Sequence, residues 1–170
     1  MKTIEWILAQ LESEAPRTRR VLERVPEGSY DWKPHEKSMP FGRLAMLVAT
    51  MPTWINLVIG KDELDVAPKD GKSNVDTNPL RTPAELVQAL DKGIAEARKA
   101  LQGTTEEHLK KPWKLLAGGN VVAEDSREVV LRDTMMHLSH HRGQLTVYLR
   151  LNEIAVPSVY GPTADDKQFA

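Results

Sequence analysis

The sequence predicts an all-α protein of four principal helices. Three observations carry that expectation. Apolar residues recur at helical spacing in four separate segments, the stretch from Asp125 to Asn152 contains no proline, and the capping signature Thr82-Pro83-Ala84-Glu85 opens one segment. A length of 170 residues fits one domain with a substantial core.

The first helix is read from Ile4, Ile7, Leu8, Leu11, Ala15, Thr18, Leu22 and Val25, which share one face. Pro16 lies inside this segment and removes one backbone hydrogen bond, so a kink near Glu12 is expected. Arg17, Arg19, Arg20 and Arg24 alternate with Glu5, Glu12, Glu14 and Glu23, a pattern that reads as a solvated polar face. Pro26 and Gly28 end the helix, and Ser29 to Lys37 form a loop. There Trp32 is placed to seal the bundle end, and His35 beside Glu36 reads as an exposed loop histidine.

The second helix starts at Ser38 as N-cap and tolerates Pro40 in its first turn. Leu44, Leu47, Val48, Met51, Ile55 and Val58 line its inner face, and Pro52 should kink it. Lys61 to Arg81 is a polar crossover. Its four aspartates (Asp62, Asp65, Asp70, Asp76) lack calcium-loop spacing. The third helix runs from the Thr82 cap to Gly103, with Leu86, Leu90, Ile94, Ala97 and Leu101 buried. Thr104 to Lys110 adds a helical turn with His108 exposed, and two apolar runs around Gly118-Gly119-Asn120 predict a small hairpin.

The fourth helix, Asp125 to Asn152, organises the chain. Asp125 serves as its N-cap, with Glu128 three residues later. At about 100° per residue, His137 shares a stripe with Val130, Thr134, His141, Leu145 and Tyr148. Val129, Met136, His140 and Val147 flank that stripe on one side, and Leu131, Leu138 and Leu149 on the other. Glu128, Arg132, Ser139, Thr146 and Arg150 form a narrow polar strip, with Arg142 at its margin. So wide an apolar arc places the helix at the centre of the fold, or between its own bundle and a partner subunit.

His137 and His141 point inward together, with Cβ atoms roughly 6 Å apart as in any i,i+4 pair. Two neutral imidazoles so placed can hold a divalent metal, and a hydrogen-bonded pair of core histidines is the competing reading. His140 lies about 60° off that axis and serves as a wall or supporting group. The tail from Ile154 to Ala170 packs back over the bundle through Pro157, Tyr160 and Pro162, with Asp165 and Asp166 solvated.

The run His137-x-x-His140-His141-Arg142-Gly143-Gln144-Leu145-x-Val147-Tyr148-Leu149-Arg150, followed by Val156-Pro157-x-x-Tyr160-Gly161-Pro162, resembles the last helix and tail of DinB-like proteins. Trp32 to Met39 is similar to the segment before the second helix in one branch of that family. The resemblance implies a four-helix bundle of the DinB/YfiT-like type with a long crossover loop, commonly dimeric. It also implies a divalent metal held by one histidine on the second helix and an H-x-x-x-H pair on the fourth. Some members are thiol-dependent transferases or isomerases. Here Leu47 stands at the position of the second-helix histidine, so only His137 and His141 match the metal set.

Other chemistries are disfavoured. Lys plus Arg number 23 against 24 Asp plus Glu, a net charge of −1 that gives no electrostatic case for nucleic acid. The absence of cysteine excludes disulfides and protein thiolate chemistry. No Walker, Rossmann or G-x-S-x-G pattern occurs, and Ser139 faces away from His137. With no apolar run approaching a membrane span and no leader-like N-terminus, a cytoplasmic protein without a membrane partner is expected.

Two functional readings follow. In the first, His137 and His141 hold Zn²⁺ or Ni²⁺ in a metal-dependent enzyme, a thiol-dependent transferase or hydrolase, with water or a carboxylate such as Asp133 replacing the missing ligand. No residue is assigned a catalytic role. In the second, the chain is a metal-free, non-enzymatic bundle that binds a small molecule or serves structurally. A homodimer is expected in either case.

Overall fold

A computed structural model describes residues 2–69 and 79–168. Its principal helices are α1 (Thr3–Leu22), α2 (Phe41–Thr50) with α3 (Thr53–Gly60), α4 (Pro83–Gln102) and, after the short α5 (Glu106–Leu109), α6 (Arg127–Leu151). Both α4 and α6 pack against α1, α2 and α3, which closes the bundle. Ile7, Leu11, Leu44, Val48, Leu90, Leu138 and Leu145 are among the side chains that fill its core.

The fold is not purely all-α. Three strands, β1 (Glu63–Asp65), β2 (Pro112–Ala117) and β3 (Asn120–Ser126), form a mixed sheet in the order β1-β2-β3. β2 and β3 are the expected hairpin. Gly118 and Gly119 adopt φ of +61° and +80°, the pair of positive values that a two-residue I′ turn demands. β1 is a correction. It lies in the segment read only as a polar crossover, and pairs parallel to β2 with Leu64 opposite Leu115. The Asp65 carboxylate accepts hydrogen bonds from the N–H groups of Ala67, Gly118 and Gly119, tying β1 to the hairpin turn. Although desolvation opposes it, these three bonds hold the Asp65 carboxyl below its ordinary pKa. Asp65→Ala is therefore expected to speed hydrogen exchange at the Gly118 and Gly119 amides, with the helical amides unchanged. Unchanged exchange at both glycines would show that the turn holds itself. Asp70, Gly71 and Asp76 of the crossover lie outside the described residues.

Several helix boundaries differ from expectation, α1 among them, which ends at Leu22 before Val25. The second helix is two helices, α2 and α3, bent by 53° at Met51-Pro52. Proline lacks the donor N–H and its ring displaces the preceding turn, which is enough to break rather than kink so short a segment. Gly93 of α4 packs at this break, where an added Cβ would lie 3.3 Å from the Thr53 nitrogen. The helix also starts later than Ser38, with Pro40 at the N-cap.

Asp125 does not cap the last helix, because β3 runs through it in register with Trp113. Ser126 is the N-cap, and the Arg127 N–H donates to the Lys111 carbonyl. The Arg127 side chain is 1% exposed and fastens the bundle to the sheet. It donates to the carbonyls of Val58, Lys61 and Pro112 and pairs with Asp62 at 2.5 Å. Trp32, Phe41 and Tyr148 meet edge to face and close one end of the bundle, the role expected of Trp32. His35 is exposed as read. His108 is not. It is half-buried, with Nε2 2.9 Å from the Ile59 carbonyl oxygen.

Among the described residues no single helix is long and apolar enough to cross a membrane, although the bent α2–α3 pair meets that test by length and composition. α6 is buried along Leu131, Leu138, Leu145 and Leu149, whereas Met136, Val147 and Leu151 on its far side are more than half exposed.

Candidate metal centre and ligand cleft

The histidine pair forms because α6 is unbroken across four residues that bring the two side chains onto one face. His137 Nε2 and His141 Nε2 lie 2.7 Å apart, with ring centroids 4.4 Å apart. Their environments differ, which corrects the view of two inward-facing groups. His141 is buried, while His137 is exposed at the edge of a cleft. Burial first, and then the neighbouring His141 and His140, push the His137 pKa below its ordinary 6.5. A neutral imidazole, the form that ligates metals, is thereby favoured at pH 7.

Gln144 supplies a feature that sequence reasoning missed. Its side-chain oxygen lies 2.7 Å from His141 Nδ1. With the amide oriented this way, Nδ1 carries the proton and donates it to Gln144. The Nε2 lone pair of His141 is then left facing His137. His137 Nε2–H donates to that lone pair when no ion intervenes. The i,i+3 spacing of His141 and Gln144 was a usable signal for this support. His140 is exposed and packs edge-on against the His141 ring, with centroids 5.0 Å apart. It is a wall to the pair and not a third converging donor.

The donor set fits two positions of a borderline metal. Two Zn–N bonds at tetrahedral geometry hold their nitrogens roughly 3.3 Å apart, so small ring rotations would open the pair enough to admit an ion. A third protein ligand is missing. Asp133 is exposed and pairs with Arg132 at 3.5 Å, and among the described residues no group of three or more His, Cys, Asp or Glu side chains could hold a metal. Leu47 is half-buried and packs against the core, an alkyl group with nothing to coordinate.

The cleft beside His137 has a volume of about 370 Å³ and lies between the β2–β3 hairpin, α3 and α6. Trp54 and Met51 form one wall, Trp113 and Leu115 another, and Val129 to His137 the floor along α6. Neither tryptophan was singled out for this role by the sequence, because only the folding of the hairpin over α6 brings Trp113 towards Trp54.

The face of α6 that meets α1 and the tail holds a second polar cluster, built on a buried ion pair. Arg142, placed by the helical wheel at the polar margin, is 1% exposed, and Glu14, expected in solvent, is 5% exposed. They pair at 2.5 Å. Arg142 also donates to Thr18 Oγ1 and the Tyr160 hydroxyl, and that hydroxyl donates to Glu14. Arg17 holds the other Glu14 oxygen at 2.8 Å. The tail thus packs back through Tyr160 and the buried Pro157, whereas Pro162 is exposed. Asp165 and Asp166 are not merely solvated. Asp165 pairs with Arg150, and Asp166 accepts the Ser158 N–H.

The DinB family model matches residues 1–168. The chain belongs to the DinB family. Solved DinB-like structures share the fold. One from Bacillus cereus ATCC 10987 has a TM-score of 0.69 at 22% identity, covering 92% of this chain and 97% of that one. Another from Bacillus subtilis has a TM-score of 0.64 at 21% identity, covering 87% and 92%. The DinB-family chain is also 22% identical over 169 residues to the uncharacterized protein YrdA of Bacillus subtilis strain 168, covering 97% of this chain and 92% of YrdA. The resemblance seen in the His137–Pro162 motifs therefore extends over nearly the whole chain.

Proposed function

We propose that this DinB-family protein is a metal-dependent enzyme acting on a small molecule in the His137 cleft, with His137 and His141 as the protein's metal ligands. The observation that carries the reading is the Gln144-oriented His141, whose free Nε2 meets His137 Nε2 at 2.7 Å beside a cleft of about 370 Å³. The same tautomer serves a plain His137–His141 hydrogen bond, and what favours a ligand role is that the pair stands at the edge of this cleft instead of deep in the core. Zn²⁺ or Ni²⁺ suits two imidazoles, and water or a substrate atom would complete the coordination. Bound there, the ion would acidify a water or a thiol cosubstrate for transfer to an electrophile or for hydrolysis. The residues' own contribution is orientation: Gln144 sets the His141 ring, and the tryptophan walls give a small molecule apolar surface to lie against.

The missing third ligand favours a competing reading, a metal-free bundle that binds a small molecule. Calorimetric titration of metal-free protein decides between them. A saturable site for Zn²⁺ or Ni²⁺, absent from His137→Ala/His141→Ala, is expected, and no saturable binding by the wild-type protein would leave the metal-free reading.

The reading includes a homodimer built on α6. Met136, His140, Gly143, Val147 and Leu151 make an exposed stripe at heptad-like spacing, and nothing lies within 4 Å of a Cβ added at Gly143. A second copy of the helix fits this stripe about a two-fold axis. Sedimentation at micromolar concentration should give a dimer, and Val147→Glu a monomer. A wild-type protein that sediments only as monomer contradicts this arrangement.

A further inference from the structure

The cleft beside His137 carries chemical information beyond the histidine pair. Trp113 lines it and is 3% exposed, yet its indole N–H has no hydrogen-bond partner among the described residues. A buried donor left unpaired costs on the order of 1–3 kcal/mol, and an acceptor on a bound molecule would remove that cost. The charges of the cleft lean one way. Glu124, Asp125 and Asp133 line it, and no Lys or Arg does among the described residues. Two of the three carboxylates have cationic company. Asp133 pairs with Arg132, and Glu124 sits opposite Lys114 in the hairpin. Asp125 has no ion pair among the described residues, and it is the register partner of Trp113. An uncompensated carboxylate therefore stands beside an indole ring. That combination attracts a cation by charge and by the ring quadrupole, and it repels an anion.

We propose that the cleft takes a small organic ammonium compound with a flat apolar body and a hydrogen-bond acceptor. The ammonium group lies at Asp125 against Trp113, the acceptor meets the Trp113 indole N–H, and the body lies between Trp113 and Trp54. Val129 and His137, two turns apart on α6, give the floor a length of roughly 12 Å, enough for a single substituted ring. The inference rests on the reading of this cleft as the substrate site, and it does not require the metal.

The test uses three matched probes on the full-length protein: 4-(aminomethyl)benzamide, 4-carbamoylbenzoate and 4-methylbenzamide. They share ring and amide and differ in charge. In ¹⁵N-labelled protein, the Trp113 indole signal is identified by its loss in Trp113→Phe and followed through each titration. The cationic probe is expected to shift that signal saturably at millimolar concentration, and the anionic probe to bind at least about ten-fold more weakly. Asp125→Asn should lower affinity for the cation to that of the neutral probe. The proposal is overturned if no probe moves the Trp113 signal, or if the anion binds as tightly as the cation. It is overturned too if Asp125→Asn leaves the preference intact. Titration of the same wild-type protein with Zn²⁺ separates the two readings. Probe binding by a wild-type protein that takes no Zn²⁺ refutes only the metal site, and Zn²⁺ binding without probe binding refutes only this inference.

Discussion

Glu14→Ala is expected to destabilise the fold by about 3–5 kcal/mol, the usual cost of removing one partner from a buried ion pair. The loss comes from what is left behind. Arg142 would keep a buried guanidinium with only neutral acceptors to receive it: Thr18 Oγ1, the Tyr160 hydroxyl and the backbone carbonyl of residue 14. Replacing both members, as in Glu14→Met/Arg142→Met, should cost less than either single change, because no charge is then stranded. Tyr160→Phe should cost about 1–2 kcal/mol, since it removes the hydroxyl that accepts from Arg142 and donates to Glu14 but leaves the ion pair intact.

The pair also sets an acid limit. Burial pushes the Glu14 pKa up, but Arg142, the Tyr160 hydroxyl and Arg17 together pull it below its ordinary 4.5. The unfolded chain then binds a proton more readily than the folded one. This contribution is fully present above pH 4.5 and is lost as pH falls through the lower folded value. Urea unfolding across that range should show the wild type losing stability with acid more steeply than Glu14→Gln. Parallel curves would mean that other carboxylates govern acid unfolding.

The second large effect is on metal affinity. His141→Ala removes one of the two protein donors and should weaken Zn²⁺ or Ni²⁺ binding at least about 100-fold, near 2.7 kcal/mol. Gln144→Ala leaves both donors but frees the His141 ring, so a loss of about 10-fold to 100-fold is expected. Leu47→His restores the histidine that the family resemblance puts at this position of α2, and in the metal reading it should tighten binding. Equal affinity in wild type, His141→Ala and Gln144→Ala would place any bound ion elsewhere.

Helices were legible wherever a buried stripe alternates with solvent over several turns, as in Leu86 to Leu101 and Leu131 to Leu149. The Thr82–Glu85 capping box and the Gly118-Gly119 turn were equally local, because both signals lie within a few residues of the structure they fix. β1 was not legible. Three residues, two of them acidic, carry no periodicity, and their parallel partner lies some fifty positions away. Asp125 shows the same limit, since a good capping residue was claimed by a strand whose register depends on Trp113.

Charged residues hid the rest. A helical wheel sends Arg142 and Glu14 to solvent because it knows nothing of a partner on another helix. Each is buried only because the other, with Tyr160, satisfies it. The histidine pair was visible at i,i+4, but its asymmetry was not, because exposure depends on how the hairpin and α3 border α6. The Trp54 and Trp113 walls are likewise a product of that hairpin.

Metal content of tag-free protein, measured by mass spectrometry after incubation with Zn²⁺ or Ni²⁺ and removal of free ion, tests the central claim most directly. One ion per chain in the wild type and none in His137→Ala/His141→Ala is the predicted result. A wild-type protein that retains no ion, or a double variant that retains as much, would contradict it.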